Sequence, residues 1–288
     1  MQKQTVYTSA PLPFQGQKRR FIGEFRKALS RFPDAATFVD LFGGSGLLSH
    51  VAKRERPDAR LIYNDFDDFH LRLENIPRTN ALLARIRNLV GGGGGEISKG
   101  EQIPQEQRVC ILEEIRKEEE TGFVDYITLS ASLLFSSRYV RSFDELGKEN
   151  LYNSIKQTDY VADGYLDGVE IVKADYRELF AQYKDTENVV FLVDPPYLST
   201  DTKTYKCYWK LADYLDVLKV LEGHAYIYFT SNKSQIIELI DWFTRTQFDT
   251  NPFAGAQRRE INVTINKQAK YTDIMMFKNI TKSEMPTA

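Results

Sequence analysis

The sequence predicts an α/β protein with a doubly wound, mostly parallel sheet and an inserted, largely helical domain. Three observations support this prediction. Short runs rich in β-branched residues alternate with helical patterns near both ends of the chain. One of these runs breaks into a glycine-rich loop that precedes a helix. The middle of the chain carries helical patterns without comparable strand-like runs.

The elements before residue 75 follow the order strand, glycine loop, helix, strand. FRKALSRFPDA (25–35) has apolar residues at helical spacing and stops at Pro33. TFVDLFGGSG (37–46) predicts a strand that runs into a loop. LLSHVAKRERPDA (47–59) predicts a helix, and RLIYNDFD (60–67) predicts a second strand that ends in acids. This order is typical of one half of a doubly wound sheet.

Helical patterns dominate the middle of the chain, and strands return near its end. We predict helices in 80–90, 105–120, 126–140, 213–223 and 234–243. We predict strands in 168–175, 188–197, 225–232, 260–267 and 271–278. Residues 1–75 and 166–288 should therefore form one discontinuous domain, with 76–165 inserted as a target-recognition domain. The run Gly91 to Gly95 should act as a flexible link without chemistry of its own.

Composition places the chain among ordinary globular proteins. It has 288 residues, 42% hydrophobic residues, 27% charged residues and a formal net charge of -2. Two cysteines, Cys110 and Cys207, are too few for a disulfide framework or a cysteine metal site. The sequence offers neither a membrane-spanning run nor a signal peptide, so we expect a cytoplasmic protein.

The loop DLFGGSG has features of a nucleoside-binding site. Its glycines Gly43, Gly44 and Gly46 would let backbone amides approach a ligand, although a tight strand–helix turn is the alternative. The loop matches neither G-x-G-x-x-G nor a phosphate loop. Asp65 ends the next strand, where an acid can accept hydrogen bonds from ribose hydroxyls. A nucleoside without phosphates fits these features.

S-adenosylmethionine is such a nucleoside, and three further residues suit its parts. Asp40 can engage the ammonium group directly or through water, and Lys18 in PFQGQK can bind the carboxylate. Asp175 can meet the amino group of the adenine. Each acid taken alone is more often a solvated strand end or a helix cap. Their common place at the carboxyl ends of strands favours the cofactor.

The stretch LVDPPYLST predicts a rigid corner at the end of a buried strand. Pro195 and Pro196 end the ladder and remove two amide donors, while their carbonyls remain acceptors. Asp194 and a proline carbonyl can accept hydrogens from an amine on a planar group, on which Tyr197 can stack. The alternative is a strand terminator whose aspartate caps the next turn.

Together these motifs resemble the Dam-like family of DNA N6-adenine methyltransferases. The family order is an N-terminal F-x-G-x-K segment, a glycine loop, an inserted recognition domain and D-P-P-Y. This chain shows Phe14, Gly16 and Lys18 first, then Asp40 to Gly46 with Phe42, and finally Asp194 to Tyr197. The resemblance covers roughly residues 11–75 and 166–280 and implies a Rossmann-like methyltransferase fold.

The resemblance implies methyl transfer from S-adenosylmethionine to the N6 amine of an adenine that is flipped out of double-stranded DNA. Positioning would be the main contribution of the protein, without a metal or a covalent nucleophile. A cognate restriction enzyme is left open as a partner, and we expect a monomer that binds no membrane.

The residues that bind DNA are harder to assign. The insertion has 11 Lys and Arg against 14 Asp and Glu, so it is not a basic arm. Arg138 and Arg141 are its candidates, with a solvated loop as the alternative, and Lys203 and Lys206 follow the tetrapeptide. Two rival functions stay open: methylation of RNA adenine or a protein amide, and a catalytically silent nucleic-acid-binding relative.

Overall fold

The structure is a computed structural model that describes residues 6–92, 97–135, 138–196, 210–246, 251–264 and 270–280. The chain forms two compact units. The first contains residues 1–9, 17–67 and 166–288, and the second contains residues 10–16 and 68–165. The F-x-G-x-K segment is therefore divided between the units, because Phe14 and Gly16 belong to the second and Lys18 belongs to the first.

The first unit carries the sheet and the helices that cover it. Its strands are β1 (Thr37–Asp40), β2 (Arg60–Asn64), β3 (Glu170–Val172), β4 (Val189–Val193), β5 (Ala225–Ser231), β6 (Gln257–Thr264) and β7 (Lys270–Lys278). Its helices are α1 (Ile22–Leu29), α2 (Leu47–Glu55), α8 (Tyr176–Tyr183), α9 (Leu211–Leu221) and α10 (Ile236–Thr246), and a short 3-10 turn (Arg19–Phe21) precedes α1.

The described strands form one seven-stranded sheet in the order β3-β2-β1-β4-β5-β7-β6. Strands β1 to β5 are parallel, and β7 runs antiparallel to both β5 and β6. The chain passes from β3, at one edge, to β4 on the other side of β1, which reverses the direction in which strands are added. The prediction of a doubly wound, mostly parallel sheet is confirmed.

The strand register places the acidic strand ends side by side. Asp40, the last residue of β1, lies opposite Tyr63 of β2 and Leu192 of β4. Asp65 and Asp194 are each the first residue after one of these neighbouring strands. All residues of β1 and β4 are buried, because helices cover both faces of a parallel sheet. The sheet therefore provides a rigid base for polar groups at its carboxyl edge.

The second unit is helical. Its helices are α3 (Phe69–Glu74), α4 (Ile76–Gly92), α5 (Gln105–Thr121), α6 (Tyr126–Leu133) and α7 (Phe143–Leu146), and they enclose an apolar core of their own. A buried ion pair joins α3 to the start of α6, where Arg72 Nε lies 3.0 Å from Asp125 Oδ1. The same guanidinium donates to the carbonyl oxygen of Pro13 at 2.8 Å, which ties the segment before Phe14 into this unit.

One predicted helix is shorter than its sequence pattern suggested. Residues 126–140 were predicted to be helical, but α6 ends at Leu133 and Leu134 is extended. The hydroxyl of Ser132 donates to the carbonyl of Thr128, and the carbonyl of Leu133 accepts from the amide of Tyr152. Side-chain and tertiary hydrogen bonds thus compete with continuation of the helix.

Two further findings concern features raised by the sequence. Gly91 and Gly92 belong to the end of α4, whereas residues 93–96 lie outside the described part of the chain. Among the described helices, none combines the length and the apolar character that crossing a membrane requires.

Candidate active site

The chain leaves β4 at the Asp-Pro-Pro stretch for which the sequence predicted a corner. Strand β4 ends at Val193, and the side chain of Asp194 is 17% exposed. Pro195 is buried and Pro196 is partly buried, and all described peptide bonds are trans. Two consecutive prolines leave this corner without two amide donors. Tyr197 lies outside the described residues.

Lys18 contacts Asp194 directly. Its Nζ lies 2.5 Å from Asp194 Oδ2, and the lysine side chain is only 8% exposed. Burial raises the pKa of the Asp194 carboxyl, while the charge and the hydrogen bond of Lys18 oppose this rise. The lysine that the sequence predicted for a cofactor carboxylate is thus paired with the predicted catalytic aspartate.

Asp40 is a buried carboxyl one strand away. It is fully buried, and Oδ2 accepts a hydrogen bond of 2.7 Å from the Ser49 hydroxyl on α2. Oδ1 has no hydrogen bond of ordinary geometry among the described residues. Burial raises the pKa of Asp40 to about 7; Asp194 adds to the rise, whereas Ser49, the Phe42 amide and Lys18 oppose it. An acceptor oxygen is therefore present at a site that favours a cationic partner.

The glycine loop joins β1 to α2 in a conformation that requires glycine at several positions. Gly44 and Gly46 have φ of 51° and 69°, in the left-handed region. Gly46 is also the N-cap of α2, and its amide donates to the Gly43 carbonyl at 2.8 Å. A Cβ at Gly43 would overlap the Tyr63 ring and lie 2.9 Å from the Asn64 carbonyl oxygen. The turn alternative thus has support, although it does not conflict with ligand binding.

We expect Gly43→Ala to lower the free energy of unfolding by about 1–3 kcal/mol, because Tyr63 and the β2 backbone must move. Urea denaturation measures this change. Gly23→Ala is the matched control, since a Cβ on this helical glycine meets nothing within 4 Å. The control should be neutral or stabilising. Equal stability of Gly43→Ala and the unmodified protein would contradict the packing argument.

Asp65 lies beside this loop at the end of β2. The carboxyl is buried, and its Oδ1 lies 3.0 Å from the Tyr63 hydroxyl, which is also 2.7 Å from the Gly44 carbonyl oxygen. The Asn64 side chain stabilises the same edge of the sheet, because it donates hydrogen bonds of 3.0 Å to the carbonyl oxygens of Leu41 and Ala174. The loop and the predicted ribose acid are therefore held together through one tyrosine.

Asp175 has a structural role at the next strand. It is the N-cap of α8, where Oδ1 accepts a 2.8 Å hydrogen bond from the Arg177 amide. Its side chain is 48% exposed. Capping of this kind was the alternative raised by the sequence. The contact with a cofactor adenine stays a prediction.

The remaining predicted cofactor residues have apolar or open surroundings. Phe42 packs against Tyr176 with ring centroids 4.9 Å apart. In the second unit, Phe14 makes an edge contact with Phe69 at 5.6 Å, and Gly16 has φ of 89°. A Cβ on Gly16 would meet nothing within 4 Å, so its need for glycine is conformational.

The predicted DNA-binding residues are exposed where they are described. Arg138 is 64% exposed and lies 2.8 Å from Glu149 Oε1. Arg141 is exposed, and its amide donates to Glu145 Oε2 at 2.8 Å. Lys203 and Lys206 lie outside the described residues. These four assignments stay predictions.

Three residues of the site were missed by reasoning from the sequence. Ser49 holds Asp40, and Tyr63 links the loop to Asp65. Tyr228, a buried residue of β5, lies opposite Val193, and its pKa is raised by burial and further by Asp194. Tyr63 stands within the quoted RLIYNDFD, two residues before Asp65, which was the available signal. In the part of the chain that the structure describes, no cluster of three or more His, Cys, Asp or Glu can hold a metal ion.

Comparison with known proteins agrees with the resemblance drawn from the motifs. A family model described as D12 class N6 adenine-specific DNA methyltransferase matches residues 14–222. The chain is 35% identical over 286 residues to a Haemophilus influenzae protein named "Putative methyltransferase". That alignment covers 96% of this chain and 95% of the relative.

A solved structure of precorrin-6y C5,15-methyltransferase from Geobacter metallireducens aligns with 96% of this chain and 100% of that chain. Its sequence identity to this chain is 10% and its TM-score is 0.37. The family match includes the glycine loop, Asp65, the helical unit and Asp194 to Tyr197. The chain belongs to the D12 class N6 adenine-specific DNA methyltransferase family.

Proposed function

We propose that the chain is a site-specific DNA methyltransferase that transfers a methyl group from S-adenosylmethionine to the N6 amine of a flipped-out adenine. The observation that carries this proposal is the position of Asp40, Asp65 and Asp194 at the carboxyl edge of adjacent parallel strands. Ligands of doubly wound sheets bind at this edge.

The buried acids fit the cofactor chemically. The Oδ1 atom of Asp40 is a buried acceptor without a hydrogen bond of ordinary geometry among the described residues. The ammonium group of S-adenosylmethionine can donate a hydrogen bond to it. Asp65 is a buried carboxyl suited to ribose hydroxyls, and the exposed face of Asp175 suits the adenine amine. Lys18 would hold the carboxylate. When bound, the cofactor supplies an activated methyl group on a sulfonium.

Asp194 and the proline corner would orient the target amine. A carboxylate oxygen and the Pro195 carbonyl accept its two hydrogens, which directs the nitrogen lone pair toward the methyl donor. Burial strengthens these hydrogen bonds, because water no longer competes with them. Tyr197 would stack on the base. Asp194 thus serves as a fixed acceptor, and no base of raised basicity is needed.

The DNA would be a duplex with an adenine-containing site. Lys203 and Lys206, close to the tetrapeptide in sequence, would contact phosphates near the flipped nucleotide. Arg138 and Arg141 would contact DNA from the helical unit, where both residues are exposed. Acidic residues outnumber basic residues in the insertion, 76–165, so its net charge does not attract DNA. Specific contacts with phosphates or bases must therefore contribute.

Tritiated S-adenosylmethionine tests the proposal when the protein is incubated with unmethylated DNA, methylated DNA, RNA and protein. We expect label in unmethylated DNA, as N6-methyladenine at one sequence. Label confined to RNA or protein would support the amide or RNA alternative. Absence of label from all substrates, with DNA binding retained, would support a silent relative.

Asp65→Ala should weaken cofactor affinity by about 1–3 kcal/mol, because a buried hydrogen bond to the ribose is lost. Calorimetric titration with S-adenosylhomocysteine measures this loss. Tyr63→Phe is a graded control that removes only the hydroxyl beside Asp65. Asp58→Ala, on the exposed turn before β2, should leave affinity unchanged. Unaltered affinity of Asp65→Ala would remove this residue from the cofactor site.

A further inference from the structure

The contact between Lys18 and Asp194 places a cation where the proposed function needs an acceptor. Lys18 Nζ lies 2.5 Å from Asp194 Oδ2. An ammonium group and an adenine amine are both N–H donors, so they compete for the same carboxylate. While this contact persists, one oxygen of Asp194 is occupied.

Lys18 is also close enough to other carboxyls of the first unit to influence their ionisation. Burial raises the pKa of Asp40 at the end of β1 and of Asp273 on β7, and the charge of Lys18 opposes this rise in both. Asp194 has the opposite effect on both groups. Arg20 and Lys233 also oppose the rise in the pKa of Asp273. Lys18 therefore contacts Asp194 directly and is close enough to Asp40 for its charge to act on that carboxyl.

The geometry of an α-amino acid connects these two sites. Its ammonium and carboxylate are bonded to the same carbon, so they stay within a few ångströms of each other. A methionyl group with its ammonium on Asp40 must place its carboxylate near Asp40 as well. The lysine stem has four rotatable bonds, which lets Nζ move between nearby acceptors without backbone movement.

We infer that Lys18 is a positioning residue that exchanges partners, leaving Asp194 for the carboxylate of the bound cofactor and thereby freeing Asp194 to accept the adenine amine. This inference rests on the proposed function. In this exchange the amine site becomes fully available only after the cofactor has bound. Cofactor binding therefore increases the affinity of the protein for the flipped base.

Calorimetry with two ligands tests the exchange without DNA. S-adenosylhomocysteine carries the amino-acid carboxylate, whereas 5′-methylthioadenosine lacks both the carboxylate and the ammonium. Asp194→Asn should tighten S-adenosylhomocysteine about tenfold, because Lys18 no longer has to leave a charged partner. Lys18→Gln should weaken it by about tenfold or more. Affinity for methylthioadenosine should change by less than about twofold in both variants.

The double variant Lys18→Gln/Asp194→Asn distinguishes partner exchange by Lys18 from simple repulsion between Asp194 and the ligand carboxylate. If Lys18 mediates the effect, Asp194→Asn should not tighten S-adenosylhomocysteine when Lys18→Gln is also present. Tightening in both backgrounds would overturn the exchange. Failure of both ligands to bind the unmodified protein would overturn the proposed function as well. Binding of both ligands without any effect of the variants would overturn only the inference.

A measurement on the unmodified protein covers the case in which Asp194→Asn does not fold. The side-chain ammonium of Lys18 can be observed by ¹⁵N NMR, with Lys18→Arg used for assignment. S-adenosylhomocysteine should shift this resonance, and methylthioadenosine should leave it in place. Identical spectra with the two ligands would show that Lys18 keeps its partner when the carboxylate is bound, which contradicts the exchange.

Discussion

Asp194→Ala should lower the rate of methyl transfer to DNA by about 10²–10³-fold, while the variant still binds the cofactor. In the proposed function this carboxylate orients the target amine, and loss of one preorganised polar group commonly costs about 10²–10³-fold. In the same proposal other residues hold the methyl donor, so its affinity should not fall. Single-turnover assays with tritiated S-adenosylmethionine measure the rate, and calorimetry measures the affinity.

Two controls distinguish chemistry from folding. Asp194→Asn keeps an acceptor oxygen at the same position, so its rate should lie between those of the unmodified protein and Asp194→Ala. Asp185→Ala removes an exposed acid shortly before β4 and should leave the rate unchanged. Removal of Asp194 leaves Lys18 without its nearest carboxylate, so thermal unfolding must be compared for all variants. A folded Asp194→Ala variant with an unchanged rate would exclude the proposed amine site.

The sheet and its acidic edge could be predicted because local signals determine them. Buried runs such as VVFLV in β4 have a composition that indicates strands, and the parallel order follows from the intervening helices. Once the strand order places β1 beside β4, Asp40 and Asp194 must lie near each other, since carboxyl ends of neighbouring parallel strands share an edge. The fold class and family were predicted from these patterns.

Contacts across the fold could not be predicted in the same way. Lys18 and Asp194 are 176 residues apart in sequence, and no local pattern encodes their contact. The packing requirement at Gly43 depends on the position of Tyr63 on the adjacent strand. Asp175 shows the opposite case, because its cap geometry is local and was already an alternative from the sequence. Tertiary geometry, rather than motif content, determines which partner a polar group has.

Asp40→Asn should stabilise the protein without ligand at neutral pH by up to about 4 kcal/mol, and it should weaken cofactor binding. The folded pKa of Asp40 is about 7, compared with 3.8 for an unperturbed carboxyl. Between these values the unfolded chain loses the proton while the folded protein keeps it. Stability from this group is therefore complete below about pH 4 and decreases as pH rises to about 7.

The asparagine variant removes this dependence, because an amide does not ionise and can still accept from Ser49. The difference in unfolding free energy between Asp40→Asn and the unmodified protein should grow from pH 4 to pH 7 and then become constant. Urea denaturation across this range measures it. Asp58→Asn, an exposed acid, should show no such trend. A pH-independent difference for Asp40→Asn would contradict a raised pKa at this site.

The same ionisation should control cofactor affinity in the opposite direction. Only the carboxylate form of Asp40 attracts an ammonium group, so S-adenosylhomocysteine should bind the unmodified protein more tightly as pH rises through about 7. Asp40→Asn should bind it at least tenfold more weakly at pH 8, while methylthioadenosine should be affected little. If Asp40→Asn is more stable than the unmodified protein and binds S-adenosylhomocysteine more weakly, then Asp40 destabilises the fold while it binds a cation.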